Sequence, residues 1–128
     1  MSGSAAQNRN KTITSLTTAI TPGWWNPAGT APTGSNGKKI FDELHNAVQD
    51  LAKITNPATQ QALRDLLAMT RRWGTNAIND AIARGASSNN IAQATSKIVL
   101  GDDKAAHNNP GDAVDAYRNA WTAATNAT

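Results

Sequence analysis

The 128 residues contain no cysteine, which removes disulfides and thiolate metal ligands from consideration. One glutamate and two histidines leave little for acid–base chemistry. No glycine-rich phosphate loop and no H-x-x-x-H pair occurs, so the chain reads as non-enzymatic, without cofactor or metal. No apolar run approaches the ~20 residues a membrane span needs. Met1 to Lys11 holds no apolar segment of the signal-peptide kind. Large apolar side chains are also scarce. Of the 50 residues counted as hydrophobic, 24 are alanine, and Leu, Ile, Val and Phe together supply only 19. Alanine favours helix but buries little area, so the core should be thin and burial against other chains a natural remedy.

The last scarcity is acidic. The first 41 residues carry Arg9, Lys11, Lys38 and Lys39 with no acid, giving +4; residues 42–128 hold eight basic and nine acidic residues, giving −1. An acid-free polar arm on a near-neutral body points to a polyanion partner, nucleic acid before membrane. A solvated tail is the plainer alternative.

Helical periodicity organises the rest. Asn56-Pro57 is a strong helix start, and Leu63, Leu66, Leu67, Thr70, Trp73, Ala77, Ile78 and Ile82 then share one face. Arg84-Gly85 ends that run. Gly74 within it marks a kink, a break, or a close approach of another backbone. Before it, Asn36 can cap a helix from Lys38 to about Ile54, whose apolar face is Ile40, Phe41, Leu44, Ala47, Val48, Leu51 and Ala52. Lys38 and Lys39 occupy its first turn, the unfavourable end for a cation. His45 on this helix reads as a surface or satisfied histidine. After it, Ser87 and Ser88 begin a helix ending at Leu100-Gly101, with Asp102 capping a short turn. Val114, Tyr117, Trp121 and Ala124 mark a last helix. No strand pattern appears.

Residues 8–20 form a narrower stripe of Ile13, Leu16, Ala19 and Ile20 among many threonines, a marginal helix in water. The expectation is that it orders along a bound surface, its hydroxyls meeting phosphate oxygens. Trp24 and Trp25 lie in a Pro/Gly-rich elbow, where they anchor the linker or stack on a neighbour. Arg71 and Arg72 beside Trp73 are phosphate contacts if that helix faces DNA; otherwise they pair with Asp65, Asp80 or other acids. The expected fold is all-α: an extended arm and elbow, residues 1–37, followed by a compact bundle of about four short helices, residues 38–128.

Ala81 to Gln93 resembles the first two helices of a LuxR-type helix-turn-helix, which makes a regulator reading at 81–99 one alternative. The corresponding recognition segment, Ser96 to Asp103, carries one lysine and ends in two acids. A helical protein-interaction module without nucleic acid is the other alternative.

The layout as a whole resembles the major capsid proteins of filamentous archaeal viruses, namely the rudiviruses, lipothrixviruses and tristromaviruses. The likeness lies in a mildly basic arm, a Pro/Gly-rich elbow and an alanine-rich bundle. It also covers the run Gly74, Ala77, Ile82, Arg84, Gly85, Ile91, Ala92 and Lys97, and Asn109-Pro110 before Asp115-Ala116. The resemblance implies a virion protein, assembled in the host cytoplasm, that packages double-stranded DNA non-specifically in a helical filament. In that family, arms of paired subunits hold the duplex in A-form. It implies that Arg9, Lys11, Lys38 and Lys39 face phosphates, assisted by Gln7, Asn8, Asn10 and Thr14, with Arg71 and Arg72 adding to them. Trp24, Trp25 and Trp121 would meet neighbouring subunits. The implied partners are the DNA backbone, copies of the chain or a paralogous capsid subunit, and a possible lipid envelope.

Overall fold

In the computed structural model the described residues are 3–20, 22–26, 32–34, 36–54 and 56–128. They form five α-helices: α1 (Gly3–Ala19), α2 (Gly37–Ala52), α3 (Pro57–Ala83), α4 (Ser88–Ala106) and α5 (Pro110–Thr125), with a 3-10 turn at Pro22–Trp24. The fold is all-α. Of the expected elbow, residues 27–31 and 35 lie outside the described residues.

The longest helix, α3, begins where Asn56 takes extended backbone. Its side chain accepts hydrogen bonds from the N–H groups of Ala58 at 2.9 Å and Thr59 at 3.4 Å. At the other end Gly85 takes φ +81°. The Ala86 N–H reaches the Ala81 carbonyl, and the Gly85 N–H reaches that of Ile82. This left-handed glycine cap satisfies carbonyls the helix would otherwise orphan. Between these ends α3 runs unbroken through Gly74. A methyl group there would lie 2.9 Å from Cδ1 of Ile98 and 3.3 Å from the Tyr117 carbonyl oxygen. Of the three roles open to Gly74, close approach is the one the structure shows.

The same reason corrects the expected stop at Gly101. Helix α4 continues to Ala106, because Gly101 gives room to the ring of Tyr117 on α5. Asp102 is likewise no cap: it accepts a hydrogen bond from the Tyr117 hydroxyl at 2.7 Å. The helix ends one turn later, where Asn108 takes φ +60° and the Asn109 N–H reaches the Lys104 carbonyl. Ser87 caps its start, accepting from the Asn90 N–H, whereas Asn36 before α2 makes no side-chain cap bond.

The core lies where α5 packs against α2, α3 and α4. Ile40, Phe41, Val48 and Val114 are fully buried, as are Ala47, Ala81, Ala94, Ala113, Ala120 and Ala124. The alanines let helices approach closely, which dispersion favours although each buries little area. A line of aromatic rings crosses the core. Trp25 meets Trp73 edge-on at 5.4 Å, Trp73 meets Phe41 edge-on at 5.5 Å, and Phe41 meets Trp121 at 5.5 Å. Edge-to-face rings at these distances add to the burial itself.

The first helix departs from expectation. Rather than standing clear, α1 lies along α2, with Thr12, Ser15 and Ala19 buried. Its threonines do not demand an external partner. The hydroxyls of Thr12, Thr14, Thr17 and Thr18 each donate to the carbonyl four residues back, which leaves methyl groups for packing. The Trp25 indole N–H donates to the Ala19 carbonyl at 2.7 Å and closes the helix C-terminus. One position expected on the apolar face of α3 is surface: Ile82 is 56% exposed.

Candidate nucleic-acid interface

Helix α1 presents two distinct exposed sides, because residues two apart point about 200° apart around a helix. One side carries Asn10, Lys11 and Thr14. With Ser15 and with Asn46, Gln49 and Asp50 of α2 they line an open cleft of about 420 Å³. Asn10, Lys11, Asn46 and Gln49 are exposed. Lysine and amide side chains can donate to phosphate oxygens, and three amides beside one ammonium suit a non-specific backbone contact. Asp50 sits in the same cleft and has Lys53 at 3.8 Å. The other side carries Arg9 with Ile13 and Ile20, all exposed. The four predicted arm cations therefore do not converge on one stripe.

Lys38 and Lys39 are exposed in the first turn of α2, where no acid offsets them. The Lys39 ammonium lies 5.7 Å from the centre of the Trp24 ring, a cation–π contact that fixes it without neutralising it. Lys38 borders a shallow groove with Trp121, Thr122 and Asn126. Lys39 and Asn46 are seven residues apart on α2, roughly 10 Å along the axis.

Several predicted contacts are spoken for. Thr14 donates its hydroxyl proton to the Asn10 carbonyl at 3.1 Å, so it has no proton left for a phosphate. Asn8 is half-buried and its carbonyl accepts from Thr12, while Gln7 is exposed. Arg71 forms a two-pronged pair with Asp102, at 2.8 and 3.1 Å, so one phosphate candidate is committed inside the chain. The Arg71 hydrogen bond holds the Asp102 carboxyl below its usual range, burial opposes this, and the Tyr117 hydroxyl adds to it. Burial, then Asp102, pushes the Tyr117 phenol well above its ordinary value. Arg72 is exposed. Trp121, expected at a subunit contact, is 8% exposed and belongs to this chain's own core. Trp24 and Trp25 are half-buried, and Trp25 anchors the elbow to Trp73.

The remaining polar ties are structural. The Nδ1 of His45 faces the Gly111 carbonyl at 2.8 Å and an Asp115 oxygen at 3.0 Å. Both neighbours are acceptors, so Nδ1 carries the proton and joins α2 to α5. Arg118 bonds Asp42 at 2.7 Å across the same pair of helices. Arg84 donates to the carbonyls of Ala124 and Ala127 and holds the chain's last turn. None of these distant partners is legible from spacing in the sequence. Asn46 and Gln49 could have been found as polar residues three apart flanking the α2 apolar face.

Among the described residues no group of three or more His, Asp or Glu side chains could hold a metal. No described helix is long and apolar enough to cross a membrane. The segment resembling a helix-turn-helix forms the α3–α4 hairpin; Ser96 lies inside α4, donating to the Gln93 carbonyl, and no second turn follows to begin a recognition helix. No family model, curated protein or solved structure matches the chain.

Proposed function

We propose that this is a non-enzymatic structural protein that binds the backbone of double-stranded DNA without reading its sequence and works in many copies, as a filamentous capsid subunit does. One contrast carries the reading. In the body acids outnumber bases nine to eight, and three cations are answered by carboxylates: Lys53 by Asp50, Arg71 by Asp102, Arg118 by Asp42 and Asp115. In the first 41 residues, which hold no acid, Arg9, Lys11, Lys38 and Lys39 are all exposed and form no ion pair among the described residues. Four exposed cations without an ion pair, in a stretch that holds no acid, suit an external polyanion. Lys11, Lys38 and Lys39, with the amides of Asn10, Asn46 and Gln49, are the proposed phosphate contacts, and Arg72 is a secondary one. Since α1 already lies on α2, the duplex would run along this side of the bundle rather than order a free arm.

The test is binding to random-sequence duplex DNA across a salt series. Three phosphate contacts give a slope of log K against log salt near −2.7, a loss of roughly 40-fold between 50 and 200 mM salt. Replacing Lys11, Lys38 and Lys39 by Gln should abolish most of that dependence. A triple variant that binds as tightly as the parent chain, or binding confined to one sequence, would rule the proposal out.

A further inference from the structure

The exposed large aliphatic side chains among the described residues fall in two places only. Ile13 and Ile20 lie on the outer flank of α1; Ile82, Val99 and Leu100 lie on α3 and α4. Ile82 borders a shallow groove of about 640 Å³ lined also by Ala86, Ser88, Ile91, Ala92, Thr95 and Ser96, and Val99 lies outside it, one turn beyond Thr95 on α4. Two of its three hydroxyl groups bond back to their own helix: Thr95 donates to the Ile91 carbonyl and Ser96 to that of Gln93. The groove thus offers methyl groups where the sequence suggests polarity. The α1 flank does the same, since Thr17 donates to the Ile13 carbonyl at 2.7 Å.

The two surfaces match in order as well as in kind. Along α1 the flank reads Arg9, Ile13, Thr17, Ile20. Along α4, taken in the opposite direction, the row reads Asp103, Val99, Thr95, Ile91, each four residues from the next. Set antiparallel, the rows place a cation opposite a carboxylate, aliphatic opposite aliphatic, and threonine methyl opposite threonine methyl. Ile20 then meets the mouth of the groove between Ile82 and Ile91. Both charged ends are available: Arg9 is exposed without an ion pair among the described residues. Asp103 is 61% exposed, with only the His107 ring at 3.4 Å among the ion pairs of the described residues. The α1 of one chain is held against its own α2 and cannot serve its own groove.

We infer that the α3–α4 groove receives the outer flank of α1 from a second copy of this chain, antiparallel to α4, with Arg9 paired to the partner copy's aspartate at position 103. The inference rests on the proposed assembling function, and it assigns Arg9 to a protein contact while leaving Lys11, Lys38 and Lys39 to the nucleic acid. Since the donor and acceptor surfaces differ, each pair of bound copies keeps one of each free and association runs head to tail. A thin alanine-rich core gains from such a contact the apolar burial it lacks.

Sedimentation velocity of the full chain at low salt, over a concentration series, tests this. The parent chain should show concentration-dependent species larger than a monomer. Val99→Glu places a charge at an exposed position and should leave only monomer, with helicity and melting temperature unchanged. Arg9→Asp and Asp103→Arg should each weaken association about 10-fold or more, and the two together should restore it. Binding of random duplex DNA, measured on the same proteins, should persist in the Val99→Glu monomer. A parent chain that stays monomeric at about 100 μM, well above the micromolar range expected of a weak specific contact, would overturn the inference. So would a double exchange that does not restore association. Either result leaves the DNA reading standing if DNA binding persists, and a parent chain that does not bind random duplex DNA sinks that reading separately.

Discussion

Replacing Gly101 by alanine should destabilise the fold, although alanine is the better helix former. The added methyl group would overlap Cε1 of Tyr117 and lie 2.6 Å from Cδ1 and 2.9 Å from Cζ. Carbon atoms in ordinary contact are about 3.5–4.0 Å apart, so something must move by roughly an ångström. The ring has little freedom: Tyr117 is 2% exposed and its hydroxyl is tied to Asp102, which Arg71 holds from α3. Relief has to come from parting α4 and α5, the pair that packs most extensively. Overpacking of this kind costs about 1–3 kcal/mol. Helix propensity returns about 1 kcal/mol. The net loss of up to about 2 kcal/mol should lower Tm by up to roughly 8 °C for a chain of this size, read by circular dichroism or calorimetry. In a Tyr117→Leu background, which removes the ring edge, Gly101→Ala should lose its penalty and turn mildly stabilising. Equal effects of Gly101→Ala in both backgrounds, or a raised Tm in the parent, would refute the packing argument.

Two further outcomes follow from local chemistry. Asn56→Ala removes the acceptor for the Ala58 and Thr59 N–H groups, and should cost about 1 kcal/mol, with Asn56→Asp retaining most of it; an unchanged melting curve for Asn56→Ala would count against the cap. The Asp102 carboxyl is held below its usual range by Arg71, so its contribution is complete above the unfolded carboxylate value of about 4 and is lost as pH falls through its lower folded value. Stability measured by urea titration should therefore fall less steeply below about pH 4 in Asp102→Asn than in the parent chain; parallel acid limbs would contradict the ion-pair assignment.

The helices and their strongest ends were written locally. Asn56-Pro57, Ser87 and Arg84-Gly85 act through hydrogen bonds spanning a few residues, so neighbouring sequence alone specified them. The apolar face of α2 was legible for the same reason: its period is a property of one helix. The acid-free N-terminal third is likewise a matter of composition. What only the packed molecule decided is what each residue meets across the fold. Gly101 looked like a stop and is a seat for a ring from α5; Ile82 looked like core and faces a groove; Arg71 found Asp102 at a separation of 31 residues. The first helix turned on the same kind of fact. Thirteen residues rich in threonine looked too polar to fold without a partner, but hydroxyls bonded back to their own helix hide that polarity, and α2 supplies the surface. Periodicity says which side of a helix is apolar; only its neighbours determine whether that side is covered by its own chain or left for another.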